Sequence, residues 1–149
     1  MNAIREYRID PEELDGDGAG AELEVVVPYT DPTVTAAVLE RVQELTAGLR
    51  ARVSLMAVQA LPYPLPFVCP TAVHAYLAGQ LTELAGHCAL PVTPQVVLAR
   101  DRQEGFRHAL KPASTVVVGT RRRFFRSMEE KLARSLARDG HNVVLVHVA

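Results

Sequence analysis

The sequence predicts an α/β domain in which a parallel five-stranded sheet lies between two layers of helices. Apolar β-branched runs such as Val25-Val-Val27 and Val116-Val-Val118 are too short for helices. They also lack the polar alternation of a half-exposed strand, as strands covered on both faces should. These runs alternate along the chain with longer segments of helical periodicity, the order that makes a parallel three-layer sheet with right-handed crossovers. A chain of 149 residues holds one such domain and buries its core without disulfides or a structural metal.

Residues 1–21 are acidic and end in Asp15-Gly-Asp-Gly-Ala-Gly20, a composition that favours a flexible leader over a packed element. The domain proper is expected over residues 22–149. Leu23 to Tyr29 reads as the first strand, with Pro28 near its end. Asp31-Pro32 then opens a helix, Asp as the cap and Pro at the first helical position, and Val34, Val38, Val42, Leu45 and Leu49 trace its apolar face up to Gly48. Val53 to Val58 is the second strand. Leu61-Pro-Tyr-Pro-Leu-Pro-Phe-Val-Cys-Pro70 lacks too many amide donors to be helix or central strand, and reads as an ordered loop. Its apolar side chains suit a sheet edge, a pocket lid or a subunit contact. Thr71 to Ala85 is helical, with Val73, Leu77, Leu81 and Leu84 on one face. Gln95 to Ala99 forms the third strand, Asp101 to Leu110 a short helix, and Asn142 to Val148 the fifth strand.

The fourth strand begins the stretch of greatest interest, Thr115 to Glu130. Thr115 to Val118 is the strand and Gly119 is expected to end it. Arg121, Arg122, Arg123 and Arg126 fill the loop that follows. Ser127 and Glu130 make a capping box that starts a helix near Met128, on which Met128, Leu132 and Leu136 face the sheet while Glu129, Lys131 and Arg134 point away. Gly140 is a suitable stop.

Charge is unevenly spread around a net value of −1. Met1 to Glu24 carries eight acids against two arginines, and Arg121 to Arg138 seven bases against two acids. The two segments suit each other or separate partners. The small net charge gives no global attraction to nucleic acid or anionic membrane, and no specific nucleic-acid partner is expected. The N-terminus shows no signal pattern and no apolar run approaches the ~20 residues of a membrane span, so a cytoplasmic protein without membrane insertion is expected. Cys69 and Cys88 form no Cys-x-x-Cys pair and read as reduced and mostly buried.

No catalytic set is visible, and no enzyme is expected. His108, His141 and His147 have no nucleophile or carboxylate at a telling spacing. No metal site is expected either. Cys69, His74, His87 and Cys88 do not converge at a zinc spacing, and Asp15-x-Asp17 lacks the twelfth-position Glu of a calcium loop, Val26 standing there.

The order of elements, together with Val26-Val-Pro28 in the first strand and Val116-Val-Val-Gly-Thr120 in the fourth, resembles the universal stress protein family over about Leu23 to Ala149. The resemblance implies a Rossmann-like sheet of order 3-2-1-4-5, with the ends of strands one and four side by side at the switch point where ligands bind. It implies ATP or another adenine nucleotide as ligand, a regulatory role in stress response, and homodimerisation through strand five, Asn142 to Val148. The strand's apolar character as a sheet edge suits such pairing.

Nucleotide-binding members carry an Asp just after strand one and, after strand four, Gly, two residues, Gly, nine residues, Gly and then Ser or Thr. Here Gly119 matches the first glycine and Ser127 the final Ser/Thr, but Arg122 and Arg126 stand in place of the other two glycines and the loop is shortened to seven residues. Arginine removes the φ > 0 geometry of a glycine cradle and supplies charge-assisted bonds to phosphate instead. The nucleotide or phosphate site expected on this basis comprises Thr30, Asp31, Val58, Gly119, Arg121, Arg122, Arg126 and Ser127. Asp31 has two competing jobs, cap and ligand contact, and Val58 is placed beside an adenine by the resemblance alone. Phe124 and Phe125 suit either stacking on a base or anchoring the loop. The alternative reading is a protein-interaction or dimerisation module that has lost nucleotide binding and contacts a protein partner through the proline loop or the basic loop.

Overall fold

The computed structural model describes residues 5–8, 23–68, 70–121 and 128–148. Its elements run β1 (Arg5–Arg8), β2 (Leu23–Pro28), α1 (Pro32–Leu45), β3 (Ala51–Ala60), α2 (Thr71–Gly86), β4 (Val92–Ala99), α3 (Arg102–Ala109), β5 (Thr115–Arg121), α4 (Met128–Arg138) and β6 (Asn142–Val148). The sheet order is β1-β4-β3-β2-β5-β6, and every pairing from β4 to β6 is parallel. Among these five strands the order is the expected 3-2-1-4-5. The sixth, β1, is antiparallel to β4, with Arg5 opposite Leu98 and Arg8 opposite Gln95.

That edge strand lies within the stretch whose composition favours a flexible leader. Four residues are too few for periodicity to show, whereas the exposed edge of β4 offers backbone donors and acceptors that another strand satisfies. Arg8 and Leu23 both sit at the amino end of the parallel sheet, opposite the end at which β5 leaves.

Two apolar layers cover the sheet. On one face α1 and α2 enclose Val25, Val27, Val38, Val53, Leu55, Leu81 and Val96. On the other, α3 and α4 enclose Val26, Met56, Val97, Phe106, Val118, Leu132 and Leu136. Alternate residues of β2 thus enter opposite cores, the reason its sequence shows no polar alternation. Phe106, Leu55, Leu81 and Leu136 are fully buried, each contributing about 1.5–3 kcal/mol of transfer free energy.

Local signals explain several boundaries. Asp31 caps α1, its Oδ1 accepting from the Val34 amide at 2.9 Å, and Asp101 caps α3 through Oδ2 and the Glu104 amide at 3.0 Å. Gly140 ends α4 at φ +95, with the His141 amide donating to Leu136 O and the Gly140 amide to Ala137 O. This is the paired closure that a left-handed residue after a helix permits.

Other expectations fail. Gly119 does not end its strand: β5 continues through Arg121, with Gly119 opposite Val146. The glycine is a packing residue, since a Cβ there would lie 2.3 Å from Val38 Cγ2 and 2.8 Å from Val34 Cγ1. Leu45 at the end of α1, Leu49 four residues beyond it, Val73 near the start of α2 and Met128 at the start of α4 are exposed, so the expected apolar faces do not extend to these positions. Cys88 is half-buried and free, and Cys69 lies outside the described residues.

Candidate functional site

The switch point falls between β2 and β5, whose neighbours diverge to opposite edges of the sheet. β2 delivers Tyr29, Thr30 and Asp31 to its carboxyl end, and β5 delivers Thr120 and Arg121 beside them. α1 starts at this point on one face and α4 on the other. Between them lies a shallow pocket of about 40 Å³ lined by Thr30, Asp31, Val34, Gly119, Thr120, Arg121 and Glu129. A small-molecule site typically measures ~300 Å³ or more. The described residues therefore form a corner with room for about one polar group and do not enclose a whole ligand.

Each wall has a physical origin. Asp31 is oriented by its capping bond to Val34, and its Oδ1 also lies 3.7 Å from Arg121 Nη2. Both side chains are substantially exposed, so water screens the attraction and leaves Arg121 able to pair with an incoming anion. Gly119 lets α1 pack closely on β5 and so brings the α1 amino terminus against the pocket. The Thr30 amide donates to Thr35 Oγ1 at 3.2 Å, which fixes the backbone after β2. The Thr30 hydroxyl oxygen, by contrast, is buried and has no hydrogen-bond partner among the described residues. Leaving such a group unsatisfied costs about 1–3 kcal/mol, so it marks a place where a ligand atom or water belongs.

Tyr29 stands beside the pocket. Burial pushes its phenol above the ordinary tyrosine range, and the nearby Tyr76 and Asp31 push in the same direction. It remains a neutral donor at physiological pH.

Of the expected site residues, the structure brings together Thr30, Asp31, Gly119 and Arg121. Arg122, Arg126 and Ser127 lie outside the described residues, as do Phe124 and Phe125. Val58 is not part of the pocket. It packs in the α3–α4 layer against α3, where a Cβ on Gly105 would meet its Cγ1 at 2.7 Å. The Gly119 face of β5 instead meets α1, on the opposite side of the sheet. Sequence reasoning missed Val34, Thr120 and Glu129. Glu129 had been expected to point away, but it sits in the first turn of α4, which opens onto the pocket. The capping box read at Ser127 and Glu130 was the available signal, since it puts Glu129 in the first turn of a helix that starts at the crevice.

The proline loop follows β3 and is held by Arg100 from the end of β4. Arg100 Nη1 donates to Leu61 O at 3.0 Å and Leu65 O at 2.6 Å, and its guanidinium lies 4.1 Å from the Tyr63 ring centre and 4.9 Å from that of Phe67. This loop caps the β3–β4 end of the sheet and contributes nothing to the lining of the switch-point pocket.

Among the described residues, no helix is long and apolar enough to cross a membrane, and no three His, Cys, Asp or Glu side chains gather into a metal-binding group.

No family model matches the chain, and no curated protein matches it significantly in sequence. A solved structure described as a universal stress protein in complex with cAMP is similar in fold, with a TM-score of 0.53 and 14% sequence identity. The similarity covers 87% of this chain and all of the other. The two proteins share a three-layer architecture with a parallel core sheet.

Proposed function

We propose that this protein is a non-catalytic regulatory domain of the universal stress protein type that binds an adenine nucleotide, or a ligand sharing its phosphate and hydroxyl chemistry, at the carboxyl ends of β2 and β5. The observation that carries this reading is the unpartnered hydroxyl of Thr30, a residue that lines the switch-point pocket together with Arg121. A nucleotide's sugar and phosphate need both kinds of partner found there. The Asp31 and Glu129 carboxylates accept from ribose hydroxyls, and Arg121 with the arginines of the 122–127 loop answers the phosphate. The cAMP complex of the structurally similar protein supports adenine nucleotides as the first ligands to test. ATP, ADP, AMP and cAMP should therefore raise the melting temperature of the wild-type chain. Arg121→Ala should abolish the shift, and Thr30→Val should reduce it, as a roughly tenfold loss of affinity from one hydrogen bond requires. Equal shifts in all three proteins would sink the site.

β6 supplies the proposed dimer contact. Among the described residues it pairs with β5 on one side only, and Val144 is exposed on it. The domain is proposed to act in the cytoplasm.

A second reading, a protein-interaction module without nucleotide, is favoured by the exposed apolar side chains of the proline loop and α2, notably Tyr63, Leu65, Val68 and Tyr76. It predicts no shift with any nucleotide.

A further inference from the structure

The described lining of the switch-point pocket sets one cation, Arg121, against two carboxylates, Asp31 and Glu129. The two acids are not equivalent. Asp31 is already engaged, since its Oδ1 accepts from the Val34 amide at 2.9 Å and lies 3.7 Å from Arg121 Nη2. Glu129 is half-buried, and no hydrogen bond or ion pair joins its carboxylate to another described residue. It sits in the first turn of α4, where the helix dipole favours a negative charge.

A carboxylate in this place treats the parts of a nucleotide differently. It accepts from sugar hydroxyls but repels phosphate oxygens, and the repulsion grows with each charge that the phosphate carries. A cyclic phosphodiester carries a single negative charge. A terminal phosphate monoester, with a second pKa of about 6, is close to a dianion at neutral pH, and a polyphosphate chain carries more. Because the pocket of about 40 Å³ has room for about one polar group, a phosphate held by Arg121 also lies close to Glu129. An unpaired like charge set against the wrong ligand is a common device of specificity.

We infer that Glu129 selects the ligand by charge, admitting a nucleotide whose phosphate is a singly charged diester and disfavouring terminal phosphates and polyphosphate chains. The inference rests on the nucleotide reading of this site and narrows its ligand to the cyclic nucleotides. Two further features of the lining suit a singly charged ligand. Arg121 is shared with Asp31, and the buried, unpartnered Thr30 hydroxyl offers a neutral contact.

Calorimetric titration of the full chain with cAMP, AMP, ADP and ATP, in EDTA and in Mg²⁺, reads this selection. Wild type should bind cAMP more tightly than ATP. Glu129→Gln keeps an acceptor oxygen for a sugar hydroxyl and removes the charge, so it should raise the affinity for ATP relative to cAMP by about fivefold or more, with a smaller gain for AMP. The gain should shrink as salt is added. Arg122, Arg123 and Arg126 are common to both proteins, so their attraction cancels in the ratio. Glu130→Gln removes the neighbouring carboxylate, which is not part of the pocket lining, and should leave the ratio unchanged. Unchanged thermal melting of both unliganded variants would establish that they fold. A wild type that binds ATP as tightly as cAMP, a ratio that ignores Glu129→Gln, or an equal gain with Glu130→Gln overturns the selection and leaves the nucleotide reading standing. ATP binding in Mg²⁺ that Glu129→Gln weakens would assign the carboxylate to a metal-bound triphosphate and overturn it equally. Failure of all four ligands to bind would sink the nucleotide reading itself, and the selection with it.

Discussion

At the scale of single residues, the consequential positions are those that do two jobs. Gly119 reads in the sequence as the end of a strand and the start of a phosphate loop, but its structural role is to let α1 lie against β5. Gly119→Ala should destabilise the fold by about 1–3 kcal/mol, the usual effect of overpacking, seen as a lower urea midpoint. An unchanged midpoint would mean that α1 shifts freely. Asp31 caps α1 and faces Arg121, and two substitutions separate these roles. Asp31→Ala should lose about 1 kcal/mol with the cap. Asp31→Asn keeps a capping oxygen, so it should retain most of that stability while changing ligand affinity. Thr30, Asp31, Gly119 and Arg121 were legible as neighbours at the switch point because they lie at or near the carboxyl ends of β2 and β5. Glu129 and Thr120 were not, since their role depends on how α4 and β5 meet.

At the scale of elements, the prolines of the 61–70 loop excluded regular structure, but nothing local identified Arg100 as its anchor, thirty residues downstream of the loop's far end. Arg100→Lys keeps the charge and loses the planar fork that serves two carbonyls and two rings. It should speed limited proteolysis within residues 61–70 while leaving cleavage elsewhere unchanged. The carboxyl ends of α3 and α4 are joined by Arg107, whose Nε and Nη2 donate to Asp139 at 2.7 and 3.1 Å. The hydrogen bond from Arg107 holds the Asp139 carboxyl below the ordinary carboxylate range. A carboxyl lowered in the folded state contributes stability above its unfolded pKa of about 4, and that contribution is lost as pH falls through the folded value. Asp139→Asn should therefore lower the urea midpoint at neutral pH and converge on the wild type in acid. Because the pair is solvent-exposed, the difference should be small and should shrink further with salt. A gap that persists unchanged at low pH would contradict this assignment.

At the scale of the whole molecule, the parallel three-layer architecture was legible because buried parallel strands leave continuous apolar runs and because right-handed crossovers restrict the topologies, whereas the strand order came only with the resemblance to the universal stress protein family. Helix faces were legible in the middle of each helix and failed at the ends. Periodicity tells which residues share a face, not how far the opposing sheet extends. Leu45, Val73 and Met128, exposed at helix ends, are the cases, and Leu49 lies beyond the end of α1 altogether. β1 was illegible for a different reason, since its partner is the edge of β4 and not a pattern of its own. Val58 misled because position along a strand does not tell which face receives the side chain. A ligand in the switch-point crevice would touch β2, β5, α1 and α4 together, so binding should stabilise the fold as a unit.

The most direct test is calorimetric titration of the full chain with ATP, ADP, AMP and cAMP, with and without Mg²⁺, at low and physiological salt. Saturable micromolar binding that Arg121→Ala removes and Thr30→Val weakens is the predicted result. The absence of heat with every nucleotide, in a protein whose melting temperature none of them moves, would contradict it and favour the reading as a protein-interaction module.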